Sequence, residues 1–186
     1  MTVQILRKKF TVGQYHQMIE SGILTDRDHV ELIQGEIIEM SPVGRHHAAC
    51  VDRLNELLVL KLFRKALIRV QSPILLSDNS EPQPDISILQ RREDFYNAEH
   101  PTPADIFALV EVSDSTIEFD RDVKVPIYAR EQIAEVWLVN LNNTQIECYR
   151  QPTANSYQQW QVFNLGEKFN FQAFPDVPIQ VSQVFG

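Results

Sequence analysis

Apolar and polar positions alternate along this chain in two periods, and the switch between them marks out the elements. Thr11 followed three residues later by Gln14 makes a capping-box start. Tyr15, Met18 and Ile19 then recur at helical spacing, and Gly22 supplies a stop. The stretch "HVELIQGEIIEM" predicts two short strands about a Gln34-Gly35 turn, and "MSPVG" a loop. From His46 to about Lys65, the positions Cys50, Val51, Leu54, Leu57, Leu58 and Phe63 describe an amphipathic helix. Three strands are expected next, in "IRVQSPILL", "DISIL" and "IFALVEV". The last two are apolar on both faces, as strands covered on both sides are. The segment "FDRDVKVPIYAREQIAE" predicts a helix. Pro126 fits only a first turn, so that helix either begins near Val125 or kinks there. "EVWLVNL" reads as a strand. "TQIECYRQ" and "SYQQWQVFN" read as a hairpin with a longer loop. The Pro-punctuated tail "FPDVPIQVSQVF" is expected to pack against the body. The order gives an α/β (mixed α+β) fold, a central mixed β-sheet flanked by helices, in one domain over residues 1–186.

Composition narrows the class. The chain is 44% hydrophobic and 23% charged, which is ordinary for a soluble globular protein. No run approaches the roughly 20 apolar residues that span a bilayer, and the start "MTVQILRKKFTV" has neither a long apolar block nor a small-residue cleavage site. No membrane association and no signal peptide are therefore expected. Cys50 and Cys148 lie in no metal-type spacing, which points to a reduced, cytoplasmic protein with two apolar fillers. A net charge of −8 argues against binding nucleic acid with the whole surface. Residues 45 to 69 carry a local excess of positive charge, from Arg45, Arg53, Lys61, Arg64, Lys65 and Arg69, so a basic groove remains open.

Two acids do not fit the pattern. Asp85 heads the apolar run of "EPQPDISIL" directly after Pro84, and Glu111 interrupts "FALVEVSDST". A carboxylate set among apolar residues is costly to desolvate unless something pairs with it. Two such acids side by side would repel each other, and a divalent cation removes that penalty. Oxygen-only ligands suit Mg²⁺, with Mn²⁺ as the alternative. Lys124, on the following helix, could orient an attacking water or neutralise a phosphate oxygen.

These residues resemble the PD-(D/E)XK nuclease pattern, an Asp followed by Glu-x-Lys, with Ser113 standing where the lysine should be. Over nearly the whole chain the sequence is similar to the Uma-type restriction-endonuclease family, which is abundant in cyanobacteria. The matching pieces are "VELIQGEIIEMSPVGRHHAACVDRLNELL", "PQPDISIL", "LVEVSDSTIEFDRDVKVPIYAR" and "IAEVWLVNL". The resemblance implies a restriction-endonuclease-like core. It implies Asp85 and Glu111 as metal ligands, with the Val112 backbone carbonyl as a further one, and Lys124 in the role of the missing lysine. Glu31, His47, Gln83 and Ser113 are the supporting positions. The expected activity is metal-dependent hydrolysis of DNA phosphodiesters by a homodimer. The rival is a non-catalytic binding or regulatory module that keeps the fold; Ser113 and the acidic charge favour it.

Simpler roles are expected elsewhere. Asp120 and Asp122 read as capping or N-terminal helix residues. His46 reads as surface, and Trp137 and Trp160 as core or interface aromatics. No helix-turn-helix, zinc finger or basic tail for base readout is visible.

Overall fold

The computed structural model describes residues 7–25 and 27–186. Helix α1 (Val12–Glu20) starts at the capping box, with Thr11 and Gln14 exchanging both hydrogen bonds. Strands β1 (Val30–Ile33) and β2 (Glu36–Glu39) pair antiparallel across the Gln34-Gly35 turn. Both turn residues have positive φ. A Cβ at Gly35 would lie 2.9 Å from the Lys9 side chain and 3.0 Å from the Phe10 carbonyl, so the hairpin needs glycine there. Helix α2 (Arg45–Lys61) follows and buries Cys50, Val51, Leu54 and Leu58 of the predicted stripe; it ends before Phe63, which is exposed instead of buried because it lies in the turn beyond the last helical residue.

Six strands form the central sheet, in the order β3-β4-β5-β6-β7-β8. They are β3 (Leu67–Val70), β4 (Ile86–Leu89), β5 (Ile106–Ser113), β6 (Glu135–Asn140), β7 (Gln145–Pro152) and β8 (Tyr157–Phe163). All pairings are antiparallel except β5 with β6, so the sheet is mixed. The strand predicted through "IRVQSPILL" ends at Val70 and does not run on to Leu76. Leu75 and Leu76 instead bond to Pro101 and Ser80, outside any regular ladder. Strands β9 (Lys168–Asn170) and β10 (Pro178–Gln180) make a small separate pair, and helix α5 (Val181–Phe185) closes the tail against α2. The tail thus packs onto the body, as its apolar residues predict.

Apolar packing occupies both faces of the sheet. One face, with Ile86, Ile88, Val110, Val112 and Trp137, packs against α2 and the tail. The other, with Leu89, Leu109, Val136 and Leu138, packs against the segment that joins β5 to β6. That connection is not one regular helix. A short turn α3 (Ile117–Phe119) runs into a π-helical turn over Asp120–Lys124, then into α4 (Val125–Arg130), which has Pro126 in its first turn. The proline's missing N–H is therefore harmless. A π turn is uncommon and recurs at functional sites.

Candidate active site

The register of β4 on β5 pairs Ile86 with Val110 and Ser87 with Leu109. Carried one step further, it sets Asp85 opposite Glu111, on the sheet face that α4 covers. Two acids separated by 25 intervening residues are thereby made cross-strand neighbours, and side chains so placed share a face. The α3–π–α4 segment lies over that face. Asp120, Lys124 and Tyr128 fall four residues apart along it and present one stripe to β5.

Glu111 is 3% exposed. Its Oε1 accepts the Tyr128 hydroxyl at 2.5 Å and lies 3.4 Å from Lys124 Nζ. Its Oε2 has no hydrogen bond or ion pair among the described residues. Burial pushes its pKa up to about 8, against the pull of Lys124 and with added repulsion from Asp120, Asp85 and Glu31. Burial works to lower the pKa of Lys124, but the surrounding carboxylates of Glu111, Glu31 and Asp120 outweigh it and hold the ammonium charged. Lys124 Nζ also pairs with Glu31 Oε1 at 3.1 Å. Glu31 Oε2 accepts the backbone N–H of Gln83 at 2.9 Å, which fixes the acid from behind.

Asp85 is held by three donors. Its Oδ2 accepts the Val112 backbone N–H at 2.9 Å and His47 Nε2 at 3.0 Å, and its Oδ1 accepts Gln71 Nε2 at 3.2 Å. The Gln83 side chain in turn donates to the Gln71 carbonyl at 2.6 Å. The hydrogen bond to Asp85 raises the pKa of His47, burial opposes it, and the nearby carboxylates add to the rise. A protonated His47 donates from both ring nitrogens, yet its Nδ1 is buried without a partner.

These groups line one cavity of about 1120 Å³, containing Glu31, His47, Gln83, Asp85, Glu111, Val112 and Lys124. Eight of its lining residues are Asp or Glu and two are Arg or Lys, which makes it strongly acidic. Gly44 caps the N-terminus of α2 at its edge and offers no side-chain cap, so first-turn N–H donors face the same space.

Ser113 is the predicted position that does not line the cavity. It is buried and donates to Asp120 Oδ2 at 2.6 Å, beside Thr116 Oγ1 at 2.8 Å. Asp120 is therefore not a helix cap. It is a buried acid turned into the cavity, because the π turn carries it inward, one step from Lys124 on the same stripe. Asp122 stays exposed. Tyr128 and Gln71 were not singled out from the sequence. The four-residue spacing of Asp120, Lys124 and Tyr128 was the available signal for Tyr128; nothing local marked Gln71.

Among the described residues, no three His, Cys, Asp or Glu side chains form a group able to hold a metal by themselves. The donor set is instead two carboxylates and a main-chain carbonyl. Because the N–H of Val112 reaches Asp85, its carbonyl leaves the strand on the same side. With Glu111 Oε2 unengaged, an all-oxygen set of this kind fits a hard divalent cation that keeps several of its waters.

The Uma2 family, described as "Putative restriction endonuclease", matches residues 12–182. A solved structure titled as a putative nuclease belonging to DUF820, from Anabaena variabilis ATCC 29413, superposes with a TM-score of 0.73. The likeness covers 95% of this chain and 97% of that one, at 17% sequence identity, and shows a shared fold. No curated protein matches the chain. No helix among the described residues is long and apolar enough to cross a membrane.

Proposed function

The chain belongs to the Uma2 family, and from that premise we propose that it is a metal-dependent endonuclease that hydrolyses DNA phosphodiester bonds. One observation carries this reading: Asp85, Glu111 and Lys124 converge on a single cavity, with Lys124 Nζ 3.4 Å from Glu111 Oε1. Asp85, Glu111 and the Val112 carbonyl would hold Mg²⁺, or Mn²⁺ in its place. When bound, such an ion lowers the pKa of its water and neutralises charge gathering on a phosphate.

The protein's own groups do the rest. Lys124 remains an ammonium, so it serves as a donor and not as a base. It orients a water or stabilises negative charge on the phosphate oxygens. Glu31 keeps its amine from collapsing onto Glu111 alone. Tyr128, whose pKa burial lifts well above the usual tyrosine range, stays protonated and fixes the Glu111 rotamer. The first turn of α2 supplies N–H donors to the phosphate, while His47 holds the Asp85 carboxylate through its Nε2. Ser113 frees the lysine's usual place by binding Asp120, and Lys124 reaches the acids from the helix instead. The enzyme would work in the cytoplasm as a single-domain protomer of a homodimer.

The test is cleavage of plasmid and oligonucleotide DNA by purified protein with Mg²⁺ or Mn²⁺, with chelator, and beside Asp85→Ala. Cleavage that needs the metal and vanishes in the variant is the expected result. Cleavage that persists in both chelator and variant overturns it.

A further inference from the structure

Gln71 is the first residue past β3 and adopts a φ of 44°, in the left-handed region that L side chains rarely enter. Glycine or asparagine would make that turn with less strain, so the backbone alone gives no reason for a glutamine. What glutamine adds is reach. Continuing the register of β3 on β4 sets Gln71 opposite Asp85, and its N–H donates to the Asp85 carbonyl at 2.9 Å. Its side-chain Nε2 meets Asp85 Oδ1 at 3.2 Å. The other oxygen of that carboxylate, Oδ2, already accepts two donors, the Val112 N–H and His47. A carboxylate oxygen offers about two lone pairs, so Oδ1 is the one with room left for a cation. Among the described residues, Gln71 is the one group that steers it.

Polar contacts continue beyond Gln71. Its carbonyl accepts Gln83 Nε2 at 2.6 Å, and the Gln83 N–H donates to Glu31 Oε2 at 2.9 Å. Glu31 Oε1 pairs with Lys124, which reaches Glu111. Asp85 and Glu111 are thus joined around the cavity wall by one line of polar contacts, with Gln71 at the Asp85 end.

We propose that Gln71 is a positioning residue for the divalent cation. Its amide aims Asp85 Oδ1 at the ion, Gln83 sets the direction of that amide, and the left-handed backbone is the strain that brings it there. This rests on Asp85 being a metal ligand, as in the nuclease reading. Groups that hold a ligand without touching the ion typically change metal affinity by about 10- to 100-fold when removed.

Calorimetric titration of the full chain with Mn²⁺, beside thermal midpoints in chelator, tests the role. Gln71→Met keeps the length and the strain but loses the donor; Gln71→Gly loses the donor and relieves the strain. Both should bind Mn²⁺ about 10-fold or more weakly than the parent. The midpoint of Gln71→Gly should lie at or above that of Gln71→Met. Gln83→Ala should weaken Mn²⁺ binding in the parent and add nothing in Gln71→Gly, where the amide it directs is gone. A glutamine with a merely structural role would move the midpoints and leave the dissociation constant in place, which overturns the proposal. If the parent binds Mn²⁺, Asp85→Ala does not, and both Gln71 variants bind like the parent, the positioning role falls while the metal site stands. A parent that takes up no Mn²⁺ overturns the metal site itself, and the positioning role with it. A midpoint for Gln71→Gly below that of Gln71→Met overturns the account of the strained backbone.

Discussion

Glu111 and Glu135 are both buried acids on adjacent strands, set in the look-alike runs "ALVEV" and "AEVWLV", yet they live in opposite situations. Glu135 is wholly enclosed on the α2 face and every neighbour is a donor. Trp137 Nε1 reaches its Oε1 at 2.7 Å and Arg150 Nη2 at 2.9 Å, while the Gln172 backbone N–H reaches its Oε2 at 2.6 Å. Glu111, on the other face, has only the Tyr128 hydroxyl and the Lys124 ammonium, and it shares that ammonium with Glu31. One carboxylate is neutralised and locked; the other sits in a cluster with surplus negative charge. Burial alone does not mark a functional acid. An excess of acid over available partners does, because the fold then holds charge that only something from outside can balance.

That contrast can be broken in several ways. The largest effect expected is on turnover: Asp85→Ala and Lys124→Met should each lower DNA cleavage by about 100-fold or more, measured on the folded fraction. A collapse of the urea midpoint in either variant would make the cluster as structural as Glu135. Glu135→Ala should do the reverse. It strands Arg150 and the Trp137 indole N–H in the core, and about 3–5 kcal/mol of stability should be lost in urea titrations. The folded fraction of that variant should cleave normally.

Divalent cation comes next. Saturating Mg²⁺, at about 100 times its dissociation constant, should stabilise the parent by about 2.7 kcal/mol in a thermal scan. Glu135→Gln should still respond, and Asp85→Ala should not. In chelator, the pH dependence of stability should also report on Glu111. The folded-state pKa of Glu111 lies near 8, above its unfolded value, so its contribution is present in acid and fades as the pH rises through 8. Between pH 6 and 9 the parent should lose about 2–3 kcal/mol that Glu111→Gln does not lose.

The smallest effect belongs to Glu147, another locked acid. Burial tends to raise its pKa, but its bonds from Arg121 and Tyr149 prevail and lower it. Its contribution is therefore present above the ordinary carboxylate range and lost as the pH falls through the folded-state pKa. Glu147→Gln should flatten the acid limb of the stability curve. An unchanged limb would put Glu147 outside the locked class.

Much of this was legible in the chain. The period of α2, the hairpin turn and the placement of Pro126 follow from local stereochemistry, so one sequence suffices to find them. Asp85 and Glu111 stood out because acids interrupt runs that otherwise fill a sheet interior. Glu135 interrupts its run in the same way and was not flagged. Its partners, Arg150 and the backbone of Gln172, arrive from 15 and 37 residues away. No local pattern reports whether a distant guanidinium will come. Asp120 does sit in the first turn of its helical segment, but its inward direction was not legible, for a related reason. A Ser/Thr/Asp-rich start normally caps a regular helix, and nothing in the composition announces a π turn that swings the acid inward. The irregular path of residues 71–76 shows the same limit, since a β-like composition does not reveal that the partners are loop carbonyls.

The five residues Asp120–Lys124 have a further consequence. A π turn holds one residue more than regular helical winding needs. In regular α-winding the eight steps from Asp120 to Tyr128 would leave the two side chains about 80° apart around the axis. The wider turn takes up that offset, so both reach the same face of β5. Smooth winding and the constellation are rival outcomes for this segment, and the chain carries its extra residue on the side of chemistry.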